Sequence, residues 1–228
     1  MNGQPPVRFA VVTEGPSDLL VFRGVLQKLV PDAVVVPVHP EVPLAAYPEF
    51  HAAAGGAHRG TGWRGVEAWC LEYGPTLELF MSAVAGDEYD VLVIHVDASM
   101  ADKVGAEHPC PPPDATTNAL RAVITGAWLT RERLPAGVVL VTPSKSTDAW
   151  VVSALPNPPA GLECDKAIEE VLVRRRLLRR RDGEVKKPRA AYERLARDVA
   201  RRWTLVRGRC SEAERFHVNV TLAVAPSP

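Results

Sequence analysis

Several features are missing from this sequence, and each absence closes off a class of protein. No apolar run is long enough to cross a bilayer. The opening residues, MNGQPPVRF, hold no apolar stretch of the kind a secretory leader needs. A cytoplasmic protein with no membrane partner is therefore expected. Cysteine is scarce: Cys70, Cys110, Cys164 and Cys210 lie far apart and form no CxxC pair. That spacing predicts reduced thiols rather than a zinc site or a disulfide frame. Aromatic residues make up only 6% of the chain, and no cluster for stacking on single-stranded bases is evident. No GxxxxGK[ST] loop is present and no strand ends in Asp-x-Asp-x-Thr, so P-loop and related phosphotransfer readings fit less well.

Net charge is also absent, but the zero hides a polarity. Residues 1–173 carry 11 Lys+Arg against 21 Asp+Glu, and residues 174–228 carry 16 against 6. An acidic half joined to a basic half points to cations in one and phosphates in the other, or to a contact between the two. At 228 residues the chain can build one sizeable core with an appendage.

The organising stretch is residues 7–22, VRFAVVTEGPSDLLVF. Val7 to Thr13 has the β-branched, two-sided apolar character of a buried parallel strand. It breaks at Glu14-Gly15-Pro16, and a helix follows with Ser17 as N-cap and Leu19, Leu20, Phe22 and Leu26 facing inward. Ala33 to Val38 predicts a second strand, with Pro37 marking an end or an edge. Residues 39–63 lack periodicity. Gly60 to Gly65 satisfies GxGxxG, but no strand runs directly into it, so a connection is preferred over a dinucleotide site. Val66 to Val84 has helical spacing interrupted at Pro75, with Trp69 and Phe80 in the core. VLVIHV, ending at Asp97, is the best central strand. Residues 98–115 predict an irregular polar loop, Thr116 to Leu134 a helix capped near Thr116 or Thr117, Gly137 to Thr142 a strand, and Ser146 to Leu155 a helix. In the tail, Asp165 to Arg181 predicts a basic helix with Ile168, Val171, Leu172 and Leu178 buried. Asp182-Gly183 predicts a turn, Pro188 to Trp203 a helix, and a last helix is capped by Ser211.

Alternation of strands and helices through residue 155 implies an α/β fold with a largely parallel four-stranded, Rossmann-like sheet. Residues 1–160 form that core, and residues 161–228 a basic helical extension packed on it. Parallel strands gather their carboxyl ends on one edge, which collects Glu14 with Asp18, Asp97 with Asp102 nearby, and Asp148. Such carboxylates repel one another unless protons or cations intervene, and hard divalent cations are the usual answer. His95 alternates with Asp97 along its strand, placing both on one side; it either orients a ligand or is a hydrogen-bonded core histidine. His39, His51, His58, His108 and His217 show no ligand spacing. Lys145, beside Ser146, is by default a surface lysine.

EGPSD after the first strand, an Asp closing VLVIHV, and STD leading into an AW-containing helix resemble a Toprim domain. The flavour is that of the OLD-family nucleases and small stand-alone bacterial Toprim-like proteins, over residues 7–155 with a weaker extension to about residue 190. The resemblance implies that Glu14 binds metal or acts in acid/base chemistry, and that Asp18 faces one or two Mg²⁺ or Mn²⁺ ions. Asp97-Ala98-Ser99 stands where the family has Asp-x-Asp, so Ser99, or Asp102 in its place, takes the second position. Ser146-Thr147-Asp148 matches the family's Ser-x-acid turn. A charge-stabilising lysine is matched by Lys187, with Lys186 the alternative. The resemblance implies a metal-dependent nuclease acting on the backbone of DNA or RNA, as effector of a bacterial anti-phage system with a partner ATPase. Arg174, Arg175, Arg176, Arg179, Arg180, Arg181 and Lys186 are candidates to hold that backbone, or else a solvated helix face. Loss of an acid at Ser99 keeps a second reading open: a weak or inactive Toprim-like binding subunit.

Overall fold

The structure, a computed structural model, describes residues 5–40, 60–82 and 88–225. Most of the 39–63 connection, with His51 and His58, lies outside the described residues. The order is β1 (Arg8–Val12), α1 (Pro16–Leu29), β2 (Val34–His39), α2 (Gly62–Tyr73), α3 (Leu77–Met81), β3 (Val91–His95), α4 (Asp114–Val123), β4 (Val138–Val141) and α5 (Asp148–Ser153). Beyond these come α6 (Glu169–Arg174), a hairpin of β5 (Arg179–Arg181) and β6 (Glu184–Lys186), α7 (Arg189–Arg201), α8 (Trp203–Arg207) and α9 (Ser211–Ala223).

The four long strands form an all-parallel sheet in the order β2-β1-β3-β4, flanked by helices on both faces. Side chains alternate between the two faces, as the pleat requires. Phe9, Val11, Val91, Val93, Val139 and Val141 face the layer built from α1, α5, α7, α8 and α9. Ala10, Val12, Leu92, Ile94 and Leu140 face α2, α3 and α4. The chain leaves β1 for β2 on one side, then returns past β1 to β3. The crevice between the carboxyl ends of β1 and β3 is therefore the topological switch point, where open parallel sheets leave room for a ligand. Pro37 sits in the edge strand β2, where its missing N–H is tolerated, next to a register shift between Val11 and Val12.

Several boundaries differ from the sequence-based expectation. Gly15, not Ser17, is the N-cap of α1, with Pro16 in the first turn. Residues 98–115 are not wholly irregular: Ala98–Val104 forms a 3-10 turn. The helix expected over 116–134 starts at Asp114 and ends through a π turn, Ile124–Trp128. Only Glu169–Arg174 of the basic stretch 165–181 is α-helical, although Ile168, Val171, Leu172 and Leu178 are buried as expected. Arg179–Arg181 is instead a strand, returned through Asp182-Gly183, both at positive φ, into β6. Cys210, not Ser211, occupies the N-cap of α9. Gly65 is required by packing: a Cβ there would lie 2.6 Å from His39 Nε2 and 2.7 Å from the Gly60 carbonyl oxygen.

Arginines join the tail to the acidic half on two flanks. Arg209 donates to the Ser153 carbonyl, Arg202 to the Ala154 carbonyl, and Arg175 to the Pro156 and Asn157 carbonyls. These are the carbonyls at and just past the end of α5, which a helix leaves without internal partners. On the other flank, Arg121 bonds the Leu140 carbonyl and the fully buried Glu212, tying α9 to β4.

Cysteine departs from expectation as well. Cys70 and Cys210 are free and buried, but Cys110 and Cys164 form a disulfide. Their spacing hides this, because connectivity depends on two loops meeting in space. The bridge closes a loop with a sequence separation of 54. Reduction by a dithiol, or Cys110→Ser, is expected to lower the unfolding free energy by about 2–4 kcal/mol. Urea denaturation measures this, and identical curves with and without reductant would contradict the bridge.

Candidate metal centre

Glu14 follows β1 and Asp97 follows β3, so adjacent parallel strands deliver both carboxylates to the switch point. The Asp97 backbone N–H donates to Glu14 Oε1 at 2.7 Å. Gly62 at the start of α2 donates its N–H to the Glu14 carbonyl at 2.9 Å, fixing the turn from the other side. Asp18, in the first turn of α1, is buried beneath them. His95 is completely buried, and its Nε2 lies 2.8 Å from Asp97 Oδ1. The same Asp97 oxygen accepts from the Thr147 N–H at 3.0 Å and the Thr147 hydroxyl at 3.2 Å. Thr147 Oγ1 is also 3.0 Å from His95 Nε2. Phe22 packs against the His95 ring at 4.8 Å between centroids, which holds it upright.

Asp18, His95 and Asp97 each offer a ligand atom, and these atoms lie within 4.8 Å of one another. The group can bind a metal ion. Electrostatics agree with the geometry. Burial, helped by the Asp97 charge, lifts the Glu14 carboxyl to about 8. Burial likewise lifts Asp18 to about 6, with His95 opposing and Asp97 adding to the shift. Burial alone would lower His95, but Asp97, Asp18 and Glu14 outweigh it and raise the imidazole to about 9. Protons thus stand in for a cation among acids that cannot all ionise together. The donor set, carboxylates with one imidazole, suits a divalent ion such as Mn²⁺ or Mg²⁺ better than a thiolate-seeking metal.

A second cluster adjoins the first. Asp148 begins α5 and is buried. Its Oδ2 accepts from Lys187 Nζ at 2.6 Å, and its Oδ1 accepts from the Tyr192 hydroxyl at 2.7 Å. Lys187 also lies 3.9 Å from Glu169 and 5.6 Å from the centre of the Tyr192 ring. Burial opposes the Lys187 charge, yet Asp148, Asp18 and Glu169 hold its ammonium above the ordinary lysine range. Burial and the neighbouring Asp148 push the Tyr192 phenol up.

The other candidates divide. Lys187 reaches Asp148, whereas Lys186, on the opposite side of β6, turns to Glu184 at 2.7 Å. Ser99 is exposed, because the chain enters the 3-10 turn immediately after Asp97 and rotates residue 99 outward. Asp102 is exposed and paired with Lys103 at 2.8 Å, so it does not join the cluster. Ser146 is half-buried at the turn into α5, and its carbonyl accepts from the Ala149 N–H. Lys145 is not a surface residue: it is buried at positive φ, with Nζ 3.8 Å from Glu107. Among the arginines, Arg174, Arg176, Arg179 and Arg181 are exposed, Arg175 is spent on the carbonyls past α5, and Arg180 bonds Glu170 and Gly183.

Sequence reasoning missed Tyr192 and Thr147. Tyr192 is a polar-tipped aromatic on the inner face of a helix that begins just after Lys187, and that pattern was the available signal. Thr147 sits between two named residues and differs from them only in pointing toward Asp97.

Metal uptake must expel protons from this cluster, since ligands bind deprotonated. Glu14 and Asp18 carry raised carboxyl values, and His95 holds its proton to about 9. Rising pH removes the competing protons, so Mn²⁺ affinity is expected to climb more than tenfold between pH 6 and pH 8. Calorimetry in buffers of different ionisation enthalpy should also detect proton release, and a flat affinity profile would contradict the assignment.

No protein-family model matches the chain, and no curated protein or solved structure does either.

Proposed function

We propose that this protein is a metal-dependent phosphodiesterase of Toprim type acting on nucleic acid. The observation that supports it best is the convergence of Glu14, Asp18, His95 and Asp97 at the β1/β3 crevice, with Lys187 fixed beside them. In this reading Asp18, His95 and Asp97 hold Mg²⁺ or Mn²⁺, which supplies Lewis-acid stabilisation of the phosphate and a more acidic water. Glu14, with its carboxyl near the working pH, is suited to exchanging a proton at Oε2, the oxygen not held by the Asp97 N–H. Lys187 contributes a preorganised positive charge for the anionic transition state. The exposed arginines of the β5–β6 hairpin, which runs directly into Lys187, provide salt-sensitive contacts to the backbone on either side.

A role as effector of an anti-phage system with a partner ATPase goes with the Toprim resemblance. So does a cytoplasmic setting; no described helix is long and apolar enough to cross a membrane. The Cys110–Cys164 bridge is the observation against a reducing compartment. A second reading, a metal-binding but catalytically silent subunit, is favoured by Ser99, which faces solvent where the family places its second acid.

Nicking of supercoiled plasmid, with single-stranded RNA in parallel, separates the two. Wild type with Mn²⁺ is expected to cleave, and Glu14→Ala and Asp97→Ala to lose at least a hundredfold in rate. Equal rates in all three preparations would sink the nuclease reading. Metal binding without cleavage in wild type would favour the silent subunit.

A further inference from the structure

The Toprim resemblance makes Asp148 a metal-facing acid, yet its surroundings point elsewhere. Each carboxylate oxygen already has a strong partner: Lys187 Nζ at 2.6 Å on Oδ2 and the Tyr192 hydroxyl at 2.7 Å on Oδ1. The Lys187 ammonium neutralises the charge that would attract a dication, and it sits where a cation bound to Oδ2 would meet it at close range. Asp148 also stands outside the one group of ligand atoms that converges among the described residues, Asp18, His95 and Asp97. Tyr192 is fully buried on α7, and its ring lies under the ammonium at 5.6 Å. A buried phenol spent on a carboxylate that in turn grips a lysine is an arrangement for aiming that lysine. Lys187 itself lies between β6 and α7 and has four rotatable bonds, so without an anchor it has little to fix its direction.

We propose that Asp148 and Tyr192 are positioning residues that hold the Lys187 ammonium toward the β1/β3 crevice, and that Asp148 is not a metal ligand in this chain. The proposal rests on the phosphodiesterase reading for its purpose but not for its geometry. Tyr192 keeps the carboxylate in its rotamer, the carboxylate keeps the ammonium in place, and the ammonium meets the phosphate. Glu169, 3.9 Å from Lys187 Nζ, is too distant to replace Asp148 as a hydrogen-bond partner, and Asp18, which also acts on the ammonium, belongs to the metal group.

Three variants and two assays test this. Mn²⁺ binding by calorimetry is expected to stay within twofold of wild type in Asp148→Asn and Tyr192→Phe, and to weaken at least tenfold in Asp18→Asn. Labelling of Lys187 by an amine-acylating reagent, followed by peptide mass spectrometry, is expected to be slow in wild type and at least fivefold faster in Asp148→Asn and Tyr192→Phe. Where nicking is measurable, Tyr192→Phe should lower kcat about tenfold and leave KM unchanged. If Asp148→Asn weakens Mn²⁺ as much as Asp18→Asn, the acid is a ligand and the proposal is overturned. Unchanged Lys187 labelling in both variants overturns the anchoring role. Absence of nicking in wild type counts against the phosphodiesterase reading alone, because the binding and labelling assays need no activity.

Discussion

Like charges forced together in a place with little water are the constraint from which the rest of this structure follows. Asp18 and Asp97 offer oxygens within 4.8 Å of each other, and Glu14 is held against Asp97 by its backbone N–H. At that distance two full negative charges repel by about 3 kcal/mol, taking an effective dielectric of ~20. The protein offsets the cost with the His95 proton, with N–H donors from Asp97 and Thr147, and with protons retained on Glu14 and Asp18. A divalent ion could do the same work with one particle.

That constraint also explains the basic tail. Its charge is not simply a surface coat for a polyanion. Lys187 enters the acidic end of the sheet to neutralise Asp148, Arg121 of the core pairs with Glu212 of the tail, and Arg202, Arg209 and Arg175 close the far end of α5. The helix that begins with Asp148 is thus held at its front by a lysine and at its back by arginines, while all six of its own residues are buried. The tail and the site share one apolar layer, in which Trp150, Trp203 and Phe216 pack edge to face or tilted against one another.

Much of the sheet could be read from the chain because a strand buried on both faces has few other compositions available. VVT, VLVIHV and GVVLV are such runs, with VVVPV the half-buried edge strand, and the acids that close the first, third and fourth strands lie on the same edge for the simple reason that parallel strands point the same way. The hairpin at Arg179–Lys186 was not legible, since arginine favours helices and nothing alternates in RRR. The disulfide was not legible because its two cysteines belong to loops whose meeting is decided by α4 and α5. Ser99 was misplaced for a local reason: Asp-x-Ser keeps both side chains on one side only if the backbone stays extended, and it does not. His95 was half legible, for alternation put it beside Asp97 but could not say whether a core or a site lay there.

How many cations such a site takes follows from which acids remain available. Asp18, His95 and Asp97 form one cluster that could hold a single dication, with Glu14 held against it by the Asp97 N–H. A second ion would need a further acid on the same side. Ser99 faces solvent, Asp102 is paired with Lys103, and Asp148 is occupied by an ammonium and a phenol. Lys187 spends its charge on Asp148, so that pair adds no net charge to the cluster. An acid in place of the exposed Ser99, with no second cation to meet it, would only deepen the repulsion that the crevice already has to contain.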